Sequence, residues 1–291
     1  MLKKRLIATL LLRDGLIVQS VGFNRYLPIG SPRLPIEFVV KWDVDEIILL
    51  DMSASPQGRG PDSEVLEMLS QFCFVPLTIG GGIQSVDDVR SAIRSGADKV
   101  SINTHALLRP QLITEIADVF GSQCVVVSMD CLKEPDGQYQ VYAQSGTQAT
   151  GLKPEQWAQQ CAELGAGEIF LNSIDRDGMR SGYDIDLIKS VTSAVNIPVI
   201  ACGGVGSFKH FAPGIIEAGA SAVAAANIFH HTEHSTIFAK VHMHKSGVDV
   251  RLDSQAKYDS REFDEDGRLV MLSADVLSEV EFQRHEGGRL K

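Results

Sequence analysis

Three aspartates stand where short apolar runs end: Asp51 after "EIILL", Asp130 after "VVVSM" and Asp177 within "NSIDRDG". A carboxyl emerging from an apolar strand is a candidate general acid or base, because burial raises its pKa toward the working range. The same position also suits a helix N-cap or a turn, so each of the three carries both readings. Two glycine clusters share this placement, Gly80 to Gly82 and Gly203-Gly204. Glycine lets a ligand approach the backbone and turns N–H groups toward an anion. Each cluster is paired with a small or polar turn after the next apolar run, Asn103-Thr104 and Ala226-Asn227. The pairing predicts two facing phosphate sites. One comprises Gly81, Gly82, Asn103 and Thr104, and the other Asp177, Gly178, Gly203, Gly204, Ala226 and Asn227. An elongated ligand with phosphate at both ends would fit them. His230, His231, His234, His242 and His244 cluster in sequence. No Asp or Glu completes a ligand set with them, so neither a metal nor a cofactor is expected.

These residues need elements to position them. Eight apolar, β-rich runs occur, at 6–12, 46–51, 75–79, 99–102, 124–129, 168–171, 198–201 and 222–225, each followed by a segment of helical length. Continuous apolarity suits strands buried on both faces, as in a parallel sheet. Eight such units in about 250 residues predict a (β/α)8 TIM barrel, with a doubly wound sheet as runner-up. The candidate residues then fall on the C-terminal face, where barrel active sites are built. "PLTIGGGIQSVDDVRSAIRSGADKVSINT" parallels "PVIACGGVGSFKHFAPGIIEAGASAVAAAN", and "EIILLDMSAS" parallels "EIFLNSIDRDG". The barrel therefore reads as two half-barrel repeats. Residues 1–252 carry this rhythm. Residues 253–291 are charge-rich and lack it, and read as a partly ordered or interacting C-terminal extension, with a hairpin at "DEDG" and a short helix at "SADVLSEVEF".

The bulk numbers narrow the function. The net charge of −10 argues against non-specific nucleic-acid binding, which needs clustered Lys and Arg. Five scattered cysteines without a CxxC pair point to reduced thiols in the cytoplasm. The opening "RLIATLLLRDG" lacks a cleavage signature and is too short to span a membrane, so it reads as the first barrel strand.

The motifs "DEIILLDMSAS", "GGGI", "GADKVSINT", "FGSQCVVVSMD", "GAGEIFLNSIDRDGMRSGYD", "IPVIACGGVG" and "NIFH" resemble, in order and spacing, the cyclase subunit of imidazole glycerol phosphate synthase. The resemblance runs from residue 1 to about 252. It implies a barrel with a glutaminase subunit docked on its N-terminal face as a heterodimer. Ammonia would pass through the barrel to a site where two aspartates close an imidazole ring. The products would be imidazole glycerol phosphate and an aminoimidazole carboxamide ribotide. By position, Asp130 matches one catalytic aspartate. Arg5, Glu46, Lys99 and Glu168 match a charged ring gating the ammonia passage, and Asp98 matches a residue facing the glutaminase.

The departures matter as much. Leu11 stands where the family's other catalytic aspartate belongs, and leucine cannot carry a proton. Gln19 replaces a lysine near the substrate phosphate, Cys202 a serine or threonine, and Asn172 a common threonine. This pattern resembles paralogues that work beside a dedicated glutaminase and a third amidotransferase protein in making amidino-modified sugars for bacterial surface polysaccharide (O-antigen). A working cyclase, a non-catalytic scaffold and a sister barrel isomerase are the competing readings.

Overall fold

The computed structural model describes residues 3–230, 234–252, 262–264 and 270. The strands are β1 (Arg5–Arg13), β2 (Leu16–Val21), β3 (Arg25–Gly30), β4 (Glu46–Asp51), β5 (Leu77–Gly80), β6 (Lys99–Ile102), β7 (Val125–Lys133), β8 (Tyr139–Ala143), β9 (Gln148–Ala149), β10 (Glu168–Ser173), β11 (Val199–Cys202) and β12 (Ala222–Ala225). Eight of them pair in parallel around a closed circuit, β1-β4-β5-β6-β7-β10-β11-β12, and β12 returns to β1 with Arg5 opposite Ala222. This is a (β/α)8 barrel, and its eight strands coincide with the eight apolar runs.

Closure explains why those runs are apolar without alternation. Ile7, Ile48, Val126, Phe170 and Ile200 fill the barrel's interior, while Leu6, Ala8, Leu10 and Leu12 face outward to the helices. Both faces of each strand leave water, which is the main stabilising term. Helices α1 (Arg33–Lys41), α2 (Ser63–Ser70), α3 (Val86–Arg94), α4 (Thr104–Leu108), α5 (Gln111–Phe120), α6 (Pro154–Glu163), α7 (Ile185–Thr192), α8 (Phe211–Ile216) and α9 (Ser235–Lys245) separate the barrel strands. Side chains close several of their N-termini: Ser85 and Asp88 form a capping box on α3, and Asp184 caps α7.

Two hairpins interrupt the rhythm and were not foreseen in the sequence. β2 and β3 pair antiparallel between β1 and α1, and β8 and β9 do so after β7. The half-barrel repeat is visible in the backbone. Asn103 (φ −129°, ψ −90°) and Ala226 (φ −110°, ψ −78°) hold nearly the same uncommon conformation at matched strand ends. Gly81 and Gly82, and Gly203 and Gly204, all have positive φ.

The seam of the circuit is fastened by ions. Lys240 on α9 is fully buried and reaches Asp43 at 3.0 Å and Asp45 at 2.8 Å, and Asp45 also accepts the Leu6 N–H. Phe263, in the extension, packs near Ile237, Phe238 and Val241 of α9. His231 and the proposed hairpin and helix of the extension lie outside the described residues, apart from Asp264 at the hairpin's start. Among the described residues no helix is long and apolar enough to cross a membrane.

Candidate functional site

A cavity of about 620 Å³ opens at the C-terminal face. Its lining includes Leu11 from β1, Asp51 from β4, Gly81 and Gly82 after β5, Asn103 and Thr104 after β6, Asp130 from β7, Asn172 from β10, Asp177, Cys202 from β11 and Ala226. Residues scattered over more than two hundred positions thus converge because every barrel strand points its C-terminal end here.

Asp130 lines the cavity from β7. β7 and β10 run in register with Asp130 beside Asn172. Asn103 Nδ2 donates to Asp130 Oδ2 at 2.7 Å, and Asn172 supplies a second side-chain hydrogen bond to the same carboxyl. Burial dominates over these donors and raises the Asp130 pKa to about 7. That value suits a group that both takes and gives protons near neutrality. Burial also raises the pKa of Asp177, against the pull of hydrogen bonds from Ser20 and Phe23. Asp51 is tied differently: Arg59 Nη2 lies 2.7 Å from its Oδ2, and Ser53 N–H donates to its Oδ1.

Opposite this chemistry, Leu11 pairs in register with Leu50 of β4, and both line the cavity. The wall where the family's first aspartate is expected is hydrocarbon.

The glycine clusters form matched cradles. A Cβ on Gly81 would lie 2.1 Å from the Asp51 carbonyl oxygen, and one on Gly82 2.1 Å from that of Arg59. In the other half, a Cβ on Gly204 would lie 2.2 Å from the Gly182 carbonyl oxygen, and Gly182 N–H donates to Gly204 O. Side chains are excluded so that backbone can line the rim. Thr104 Oγ1 accepts the Gln144 N–H at 3.1 Å, which ties the turn between β8 and β9 to the first cradle. Asp177 Oδ2 accepts from Ser20 Oγ at 2.6 Å and from Phe23 N, and Asn227 exchanges hydrogen bonds with the Ser20 backbone. The β2–β3 hairpin is thereby latched to the second cradle, and Phe23 at its tip lines the cavity. A Cβ on Gly146, at the other hairpin's turn, would meet the Phe23 ring at 3.0 Å. No motif in the sequence pointed to Phe23.

At the opposite end of the barrel the four charged strand-start residues close into a ring. Arg5 Nη1 is 2.7 Å from Glu46 Oε1 and 3.1 Å from Glu168 Oε1, and Lys99 Nζ is 3.2 Å from Glu46 Oε2 and 3.0 Å from Glu168 Oε1. Burial pulls the Arg5 pKa down, but Glu168 and Glu46 outweigh it and the net shift is upward. Two cations thus face two anions across the barrel's axis. Asp98, just before Lys99, is exposed, and one of its oxygens accepts the Leu77 N–H at 2.8 Å. Of the described histidines, His230, His234, His242 and His244 lie near or on α9, away from the cavity lining.

The family model described as "Histidine biosynthesis protein" matches residues 5–235. A protein of Vibrio vulnificus (strain YJ016), provisionally named imidazole glycerol phosphate synthase subunit hisF2, is 47% identical over 268 residues, covering 92% of this chain and 98% of its own. The imidazole glycerol phosphate synthase subunit HisF of Alkaliphilus metalliredigens (strain QYMF) is 45% identical over 251 residues, 86% of this chain and 100% of its own. A closed barrel, paired cradles at its mouth and similarity along nearly the whole chain agree: the chain belongs to the histidine biosynthesis family of barrels that includes the cyclase subunit of imidazole glycerol phosphate synthase.

Proposed function

We propose that this chain is the barrel subunit of a cytoplasmic, glutamine-dependent amidotransferase complex. A glutaminase subunit docks on the N-terminal face beside Asp98. Ammonia enters through the ring of Arg5, Glu46, Lys99 and Glu168 and reaches the cavity around Asp130. A phosphorylated ligand is held at the rim by Gly81, Gly82, Asn103 and Thr104 on one side. On the other it meets Asp177, Gly178, Gly203, Gly204, Ala226 and Asn227. The ammonia serves amidino-sugar synthesis for surface polysaccharide, with a third amidotransferase protein completing the chemistry.

The observation that carries this reading is Leu11, facing the cavity on a barrel whose ammonia ring is intact. Ring closure by two aspartates loses one proton-transfer group, and such a group contributes about 10²–10⁴-fold in rate. With ammonia and the ribulosyl substrate of the family reaction, the purified chain is expected to show no turnover at family-like rates, and Leu11→Asp to gain it. Family-like turnover by the native chain overturns the reading.

A second reading is a genuine cyclase subunit in histidine biosynthesis. It is favoured by Asp130, whose pKa of about 7 is already suited to the reaction. Complementation of a histidine auxotroph separates the two, since only the cyclase restores growth.

A further inference from the structure

The cavity's mouth is rimmed by side chains that the site's chemistry does not use. Leu27 on β3, Met179 after β10 and Leu108 at the end of α4 are 60%, 51% and 69% exposed, and Leu108 also lines the cavity. Beside them Arg25, Arg180 and Lys209 are exposed, and none of the three has an ion pair among the described residues. The two carboxyls on the loop of Arg180 are engaged elsewhere. Asp177 turns inward to Ser20 and Phe23, and Asp175 accepts the Lys133 N–H. A chain of net charge −10 thus presents a basic and apolar stretch of rim at this face.

Backbone packing joins these residues into one surface. A Cβ on Gly22, at the turn before β3, would lie 3.7 Å from Met179 Cε, so the β2–β3 hairpin rests beside Met179. A Cβ on Gly206 would lie 2.2 Å from Arg180 Cβ, and Gly206 N–H donates to His210 Nδ1, which brings the turn carrying Lys209 against Arg180. Arg180 itself has φ +59°, in the left-handed region that a residue with a side chain rarely holds. Such backbone persists where its surroundings fix it, and it clusters at active sites and ligand clamps.

Inside the cavity, β1, β4 and β6 contribute Thr9, Leu11, Leu50 and Ser101, none of which carries a charge. With Leu11 in place of a carboxyl, one of the two proton-transfer groups for ring closure is missing. Ammonia that enters at the ring then has to leave through the mouth to meet its acceptor. In open solvent it would be protonated and lost, so the acceptor's site has to close over the mouth and exclude water. A small ligand held within the cavity needs no exposed leucine or methionine outside it. A second copy of the chain fits badly, because a two-fold contact would set Arg25, Arg180 and Lys209 against themselves.

We propose that this rim docks the third protein of the complex, the amidotransferase, which seals the mouth with an acidic and apolar face anchored on Leu27 and Met179. The proposal rests on the reading that such a protein completes the chemistry.

The test uses the full-length chain bound to its glutaminase, together with the purified amidotransferase protein. A photo-cross-linking benzoylphenylalanine is placed at position 27 and, in a second variant, at position 179, and the joined peptides are identified by mass spectrometry. Both positions are expected to cross-link to the amidotransferase. Cross-links to a second copy of the chain, or to its own residues 253–291, in place of the amidotransferase overturn the proposal. In binding measurements Leu27→Asp and Arg180→Glu are each expected to weaken amidotransferase affinity about tenfold, with glutaminase docking and glutamine hydrolysis unchanged as the check on folding. The native affinity is expected to fall with added salt, and Arg180→Glu to flatten that dependence. Val119→Asp, at a residue 53% exposed on α5, is expected to change nothing. Native affinity in both rim variants sinks the rim alone. A native chain that binds its glutaminase but not the amidotransferase sinks the third-protein reading, and the rim with it.

Discussion

At the N-terminal end of the barrel, Arg5 and Lys99 alternate with Glu46 and Glu168, and each cation touches both anions. At the C-terminal end, Asp130 and Asp177 share a cavity in which no cation lines the wall. The two ends lie on the same strands: β7 and β10 contribute to the cavity, and β10 begins with Glu168 of the ring. The difference is therefore one of side-chain choice rather than of scaffold. Matched charges settle their desolvation locally. An unmatched carboxyl settles it by holding its proton, which is what gives Asp130 its pKa of about 7. One end pairs its charges and the other leaves a carboxyl without a cation.

That contrast is open to direct attack, and the largest effect is expected at the cavity. In the folded chain Asp130 titrates near 7, against an ordinary 3.8. Well below pH 3.8 it is protonated in both states and costs nothing. As pH rises toward 7 the unfolded chain releases a proton that the folded chain keeps, and folding stability falls. Above that window the loss is complete, roughly 4 kcal/mol from the linkage relation. Asp130→Asn is expected to stabilise the protein at pH 8 and to make little difference at pH 4, as read by urea unfolding at both values. Equal effects at the two pH values would show that the carboxyl is not buried as described.

Next comes the ring. Lys99→Met leaves two glutamates with a single cation, and breaking such a set costs about 3 kcal/mol. Unlike Asp130→Asn it is expected to destabilise at neutral pH, as read by urea unfolding. Unchanged urea midpoints at pH 7 would mean that water already neutralises the ring.

The smallest effect compares the two half-barrels. A Cβ at Gly81 meets a backbone oxygen at 2.1 Å, whereas one at Gly203 meets its nearest atoms at 2.9 Å. Gly81→Ala is expected to cost about 2 kcal/mol, strain included, and Gly203→Ala less. Thermal unfolding of the two variants checks the order, and a reversal would break the equivalence of the cradles.

Much of this was legible in the residues. The runs at 46–51, 99–102 and 222–225 have the observed strand bounds because both faces of those strands are buried and nothing competes with them. The glycine clusters were legible because a positive φ restricts the choice of residue. The hairpins were not. β3 contains a proline and has no buried residue, so it shows no alternation to read. Ser101 and Thr9 were missed for a different reason: on a strand buried on both faces, polarity alone does not say which side faces the cavity. The charged ring came from resemblance, since nothing in the spacing of Arg5, Glu46, Lys99 and Glu168 announces that they meet.

The seam between β12 and β1 has a consequence for how the molecule is made. β1 leaves the ribosome first, yet one of its edges finds its partner only when β12 emerges, and Lys240 must follow to fasten α9 over Asp43 and Asp45. Until then the Arg5–Ala8 stretch of β1 carries one unpaired edge, a template for pairing with other chains, whereas Leu11–Arg13 are already covered by β2.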